Sequence, residues 1–196
     1  MNHDSAELRK SLREEFLGKR NLLSASEIGE KSAQAALRII SLPAFAQAKT
    51  ILLYRHIRSE LSLDTILSHP ASAGKRFAFP LCASKTELKV LIPGAWKTGV
   101  FGIPEPDPAC SEEISPEELD MIICPGVAFD TDCRRLGMGG GYYDRFLPKC
   151  KNAAIVMAAF EAQRAAFIPF DVWDIPMDMI VTEENIYRRK GLKNSD

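Results

Sequence analysis

Four short apolar runs limit what this chain can fold into: Thr50 to Tyr54, Leu119 to Cys124, Ala153 to Phe160 and Met179 to Thr182. They are continuous rather than alternating, which suits strands buried on both faces, and Leu119 to Cys124 reads as the central one. Arg76 to Phe79 and Leu88 to Ile92 are further strand candidates that stop at Pro80 and Pro93. Helical patterns lie between. Residues 5 to 22 carry Leu8, Leu12 and Phe16 at four-residue spacing. Ser24 with Glu27 signals a capped second helix running to about Leu42, with Ile28, Leu37 and Ile40 among its apolar positions. Asp64 starts a third that ends near Gly74. Strands alternating with helices predict a three-layer α/β fold, a mainly parallel sheet with helices on both faces.

At 196 residues the chain reads as one domain, residues 1–196. A net charge of −1 and a pI near 6.3 exclude the broad basic excess of a nucleic-acid or membrane-surface binder, but leave room for a local basic pocket. The five cysteines (Cys82, Cys110, Cys124, Cys133 and Cys150) are odd in number, and the start of the chain resembles no secretory or transit peptide. That points to a reducing cytoplasm. No Cys-x-x-Cys pair exists and His3, His56 and His69 are scattered, which argues against structural zinc. The expectation is a monomeric cytoplasmic protein whose partners are small molecules, not nucleic acid or membrane.

The richest local signal is Arg134 to Arg145, with four of the twelve glycines between Gly137 and Gly141, then Tyr142, Tyr143 and Asp144. Glycines let backbone N–H groups turn toward a ligand, and successive N–H groups make an anion-binding concavity. A helix opening near Gly141 and stopping around Pro148 adds a positive dipole end, and the arginines add forked donors. A flexible surface turn is the plainer alternative. The stretch is not a P-loop, and Tyr142 stands where a dinucleotide fingerprint needs glycine or alanine. Tyr142 and Tyr143 project about 100° apart, so one is expected to meet a ligand and the other the core.

Three other features bear on function. Arg9, Arg13 and Arg20 fall within roughly 40° on one side of the first helix. They form either a solvated face, with Glu14 and Glu15 as local partners, or cations closing over an anion. After the first strand, Arg55 to Glu60 turns polar, where carboxyl ends of parallel strands line ligand sites; Glu60 is a ligand carboxylate or a surface acid. Pro93 to Pro116 reads as a rigid shaped loop, and Phe167 to Met177 as an aromatic loop holding Asp171 and Asp174. A basic tail begins at Tyr187.

Pro125-Gly-Val-Ala-Phe-Asp130 followed by Arg135-Leu-Gly-Met-Gly-Gly-Gly-Tyr-Tyr-Asp-Arg145 resembles the 5-formyltetrahydrofolate cyclo-ligase family. So do Arg9, Leu12 and Arg13, Glu60, Phe101-Gly-Ile-Pro-Glu-Pro106, and Asp178 to Glu183. The resemblance implies the fold of sugar-phosphate isomerases and CoA transferases, and ATP-dependent closure of 5-formyltetrahydrofolate to the 5,10-methenyl compound. It implies that ATP is held by Arg9, Lys10, Ser11, Leu12 and Arg13, and by Arg135, Leu136, Gly137, Met138, Gly139, Gly140, Gly141, Tyr142 and Tyr143. It places Arg55 and Glu60 on the folate side, with Met138 to Tyr142 also touching that substrate. Arg135 and Arg13 take the catalytic role of stabilising phosphate charge, and Asp144 binds Mg²⁺. Two departures stand out. Arg9 occupies a position where the family has lysine, and the second acidic metal contact falls at Val172, leaving Asp174 or Asp171 beside it as the candidate. An isomerase or transferase using Glu60 or Asp130, or a non-catalytic binding protein, are the competing readings. The first leaves the basic helix without a job, and the second is expected to have lost the arginine or aspartate of the glycine run.

Overall fold

The computed structural model describes residues 3–99 and 102–191; Phe101 of the quoted motif and the end of the basic tail, 192–196, lie outside the described residues. Helices α1 (His3–Asn21), α2 (Ala25–Ile40) and α3 (Pro43–Gln47) precede strand β1 (Thr50–Leu52). Then come α4 (Asp64–Ser68), β2 (Arg76–Cys82), β3 (Leu88–Ile92), β4 (Trp96–Thr98), β5 (Pro104–Pro106) and β6 (Glu112–Glu113). The rest comprises β7 (Met121–Cys124), β8 (Ala128–Phe129), β9 (Arg135–Leu136), α5 (Tyr142–Phe146), β10 (Ala154–Ala158), β11 (Met179–Val181) and β12 (Ile186–Arg188).

Eight strands form one sheet in the order β12-β11-β10-β7-β1-β2-β3-β6. The inner five, β11, β10, β7, β1 and β2, pair in parallel, while β12, β3 and β6 join by antiparallel pairing. The winding reverses between β1 and β7: from β1 the chain moves outward to β2 on one side, and from β7 to β10 and β11 on the other. Such a reversal opens a crevice at the carboxyl ends of the two strands.

Side chains alternate across the sheet with period two. Ile51, Met121, Ile123, Val156 and Val181 face α2, α3 and α4, where Ala36, Ile39, Phe45 and Ile66 are fully buried. Leu52, Ile122, Cys124, Met157 and Ile180 face Phe129, Phe146, Leu147 and Cys150. Regular helices therefore cover one face. The other is covered by the five-residue α5 and the irregular segments around it, not by long helices as the alternation pattern suggested. A third cluster docks α1 through Leu12, Phe16 and Leu17 onto Val127, Ala128 and Leu136.

Several expectations are corrected. Strand β2 does not stop at Pro80 but runs to Cys82, with Pro80 opposite Val90 of β3. Pro80 lies beyond the last β1 pair, Leu52 with Ala78, so its missing N–H costs no bond to β1. Helix α4 ends at Ser68 rather than near Gly74, because His69 precedes Pro70 and takes the extended conformation that proline imposes on its neighbour. Leu37 and Leu8 are half exposed; α2 packs through Ala35, Ala36 and Ile39, whose small side chains bring it close to the sheet.

Candidate active site

A cavity of about 930 Å³ opens where the winding reverses. Tyr54, Arg55, Ile57 and Glu60, following β1, and Pro125 and Gly126, following β7, form its floor. Helix α1 and the segment Gly137 to Arg145 meet along one side, where Arg13 reaches the Gly137 carbonyl. Phe79 and Cys82 of β2, with Pro104 and Glu105 of β5, close the far end.

The wall nearest α1 is cationic. Arg9 Nη2 donates to the Pro169 carbonyl at 2.7 Å and Arg9 ion-pairs with Asp174. Arg13 Nε donates to the Gly137 carbonyl at 2.8 Å. Arg135 donates through Nη1 to Pro125 O at 3.1 Å and through Nη2 to Asp144 Oδ1 at 3.0 Å, and its guanidinium lies 5.3 Å from the centre of the Tyr143 ring. The buried Nε atoms of Arg9 and Arg135 have no partner among the described residues. Burial and then the neighbouring Arg9 hold the Arg13 pKa below its ordinary value, so a polyanion set between these cations relieves an existing electrostatic cost. The stripe on α1 is thus not the solvated face that such stripes commonly make. Arg9 and Arg20 are 7% and 5% exposed, and Glu15 pairs with Lys19 instead. The docking of Leu12 and Phe16 rotates the adjacent stripe over the sheet.

In the glycine segment, Gly139 (φ +99°) and Gly141 (φ +67°) take left-handed backbone that a side chain would strain. No hydrogen bond among the described residues uses the N–H of Gly137, Met138, Gly139, Gly140 or Gly141. That row of donors rims the cavity. Helix α5 is only five residues and passes into a 3-10 turn at Leu147–Lys149, so the expected dipole contribution is replaced by the individual N–H groups.

The far end carries carboxylates and aromatic rings. Glu60 is 9% exposed, accepts from Ile57 N–H at 3.0 Å and lies 3.8 Å from Arg20, which removes the surface-acid reading. Burial raises its pKa, partly offset by the Ile57 bond and Arg20. Arg20 also holds Ser59 Oγ at 3.2 Å. Arg55 pairs with Asp64 at 2.8 Å and lies over Trp96, which packs edge-on against Phe79. Glu105 is 5% exposed and burial raises its pKa. Both tyrosines border the cavity: Tyr142 spends its hydroxyl on Ser84 O at 3.1 Å, whereas the buried Tyr143 hydroxyl has no partner among the described residues.

A family model described as the 5-formyltetrahydrofolate cyclo-ligase family matches residues 5–183. The chain belongs to that family. It is similar to the 5,10-methenyltetrahydrofolate synthetase of Aquifex aeolicus, solved by NMR, at 35% identity and a TM-score of 0.83 over 96% of each chain. A second solved structure, the 5,10-methenyltetrahydrofolate synthetase of Mycoplasma pneumoniae, matches at 26% identity and a TM-score of 0.75 over 89% of this chain and 98% of that one. The 5-formyltetrahydrofolate cyclo-ligase of Haemophilus influenzae is 30% identical over 181 residues, 88% of this chain and 97% of that protein.

Within this cyclo-ligase cavity the first-helix motif contributes Arg9 and Arg13, and the glycine motif contributes Arg135 and the unbroken run Gly137 to Arg145. Arg9 and Arg13 face in, while Lys10 and Ser11 are exposed away from it, as helical spacing requires. Leu12 and Leu136 pack in the apolar cluster beneath α1, and neither lines the cavity. Asp174 gives one oxygen to Arg9 Nη1 (3.3 Å) and the other to Arg9 Nη2 and the Asp171 N–H (2.7 Å), a geometry that ties down Arg9 and speaks against Asp174 as a metal ligand. Asp144 fits better. Its Oδ1 meets Arg135, its side chain is 34% exposed, and no group of three His, Cys, Asp or Glu among the described residues could hold an ion alone. Mg²⁺ is commonly held by one or two carboxylates together with phosphate oxygens. Asp130 accepts from the Asp132, Arg134 and Ile168 N–H groups, pinning the turn before the glycine segment outside the cavity. Cys124 and Cys133 are buried and their thiols pushed up to about 12 and about 11, which keeps them protonated. Sequence reasoning missed Tyr54, Phe79 and Trp173 as lining residues, and assigned Glu105 no role though it stands in a quoted motif.

Proposed function

We propose that this protein converts 5-formyltetrahydrofolate to 5,10-methenyltetrahydrofolate, with ATP as co-substrate and ADP and phosphate as co-products. The observation that carries the reading is a single cavity with two chemically distinct ends. Arg9, Arg13 and Arg135 converge at one with the N–H groups of Gly137 to Gly141, which have no partner among the described residues, and buried carboxylates stand at the other. Its volume, about 930 Å³, is near the top of the usual range for small-molecule sites and suits two substrates.

A formyl group on a ring nitrogen is amide-like and a poor electrophile. Transfer of the γ-phosphoryl group to its oxygen makes that oxygen a leaving group, and the neighbouring secondary amine then closes the ring. Phosphoryl transfer needs positioning and charge stabilisation rather than a protein nucleophile. Arg135, anchored by Pro125 O and Asp144, and Arg13, anchored by Gly137 O, hold the transferring group between fixed donors. Mg²⁺ on Asp144, when bound, would neutralise phosphate charge. Glu60, aligned by Ile57 N–H, accepts hydrogen bonds from the donor edge of the pterin, and Phe79 and Arg55, backed by Trp96, border the aromatic part of the folate. The reading carries with it a monomer acting on small molecules in a reducing cytoplasm, with the sheet likeness to isomerases and transferases an inheritance of architecture alone.

The test is direct. Purified protein with 5-formyltetrahydrofolate and Mg-ATP is expected to develop the near-ultraviolet absorbance of the methenyl product, and none when ATP is omitted. Folded protein that yields no absorbance beside an active control ends the reading.

A further inference from the structure

Ring closure has a requirement that phosphoryl transfer does not meet: the attacking secondary amine must lose its proton. The cavity's described lining contains four carboxylates, Glu60, Glu105, Asp144 and Asp174. Three are committed: Asp174 to Arg9, Asp144 to Arg135, and Glu60 to Ile57 N–H and Arg20. Glu105 has no hydrogen-bond partner among the described residues, although it is 95% removed from solvent. Its cross-strand neighbour Lys97 reaches Asp107 at 3.7 Å instead. A Cβ on Gly99 would fall 2.1 Å from Glu105 Cδ and 2.4 Å from its Oε2, so the Gly99 backbone lies against one side of a carboxylate that lines the cavity.

Building on the cyclo-ligase reading, we propose that Glu105 is the general base of the cyclisation half-reaction. The amine lone pair forms the new bond to the activated formyl carbon, and Glu105 takes the amine proton. The carbon–oxygen bond to phosphate then breaks, leaving the methenyl cation and free phosphate, and Glu105 returns the proton to solvent. No redox step or further reactant is involved. Burial raises the affinity of Glu105 for that proton, with Lys97 opposing and Cys82 on β2 the other titratable group beside it. Once the proton has left, the same negative charge favours the cationic product.

Glu105→Gln keeps the shape and removes the base. Dissociation constants for ATP and 5-formyltetrahydrofolate are expected to stay within about twofold of wild type. Methenyl formation is expected to fall at least about a hundredfold. Phosphoryl transfer should persist, read as scrambling of oxygen-18 from the β–γ bridge of ATP in the presence of 5-formyltetrahydrofolate. The fall of wild-type turnover at acid pH should vanish in the variant. Glu105→Ala, regaining part of its rate with added formate, is the second variant, since a merely structural loss would not respond to a small carboxylate. Methenyl formation within about threefold of wild type overturns the proposal. So does loss of scrambling together with weakened folate binding, which would make Glu105 a binding residue. Wild-type protein that forms no methenyl product under the same conditions is a separate result, and removes the parent reading as well.

Discussion

At one end of the cavity every arginine is already held in place: Arg9 by Pro169 and Asp174, Arg13 by Gly137, and Arg135 by Pro125 and Asp144. At the other end Glu105 is buried, at 5% exposed, and has no such anchor among the described residues. The difference follows from the two chemistries. Stabilising a transferring phosphoryl group calls for charges that do not move as the reaction proceeds, and anchored guanidinium forks meet that need without reorganisation. Accepting a proton calls for a carboxylate whose ionisation is not already satisfied by a neighbour.

The sharpest way to break this division is Arg135→Ala. Losing one preorganised donor at developing charge typically costs about a hundred- to a thousandfold in rate, and turnover is expected to fall by that order with folate binding retained. Steady-state kinetics and a folate titration check it; turnover near wild type takes Arg135 out of the reacting centre. A smaller effect is expected from Gly139→Ala. The added Cβ finds ordinary contact distance, 3.5 Å from Arg13 Cζ, so the cost is backbone strain at φ +99°. Left-handed backbone costs a non-glycine residue about 1–2 kcal/mol, roughly tenfold in KM for ATP. An equal rise in KM for folate would show that the loop serves both ends.

How much of this was legible in the sequence depends on whether a feature is local. The glycine segment, the capped start of α2 and the apolar cores of β1, β7, β10 and β11 are contiguous in the chain and read directly. The direction of the Arg9–Arg13–Arg20 stripe was not readable, because it turns on α1 docking through Leu12, Phe16 and Leu17 while Leu8 stays exposed. Strand β2 passing through Pro80 was hidden for a similar reason: proline breaks a ladder only where a partner expects its N–H, and that partner is set by tertiary pairing. Glu105 sits on a three-residue strand inside a stretch that reads as loop, and its burial is created by β2 and β4 folding against it.

A milder probe addresses the far end alone. Trp96 packs edge-on against Phe79 at 4.9 Å, with Arg55 4.9 Å above its ring. Cation–π contacts at exposed sites contribute about 0.5–1 kcal/mol, so Trp96→Leu is expected to raise KM for folate roughly two- to fivefold. KM for ATP should not move, and a matching change in both would show that the two ends are coupled.

The smallest effect is on stability, and its sign separates the two ends again. Burial raises the Glu105 pKa, so the folded protein holds this proton more tightly than the unfolded chain does. Below the ordinary carboxylate pKa of about 4.3 both states are protonated and Glu105 contributes nothing. As pH rises, the unfolded chain ionises first, and wild-type stability is drawn down until the folded carboxyl has ionised as well; the loss is then complete and constant. Glu105→Gln carries no such titration. Its melting temperature is therefore expected to match or trail wild type at acid pH and to exceed it near neutrality, a gain in stability beside a loss of turnover. Thermal unfolding of both proteins across that pH range checks it. A variant that is less stable by the same margin at every pH would mean that the Glu105 carboxylate is satisfied in the folded state, and that the end of the cavity it occupies is anchored like the other.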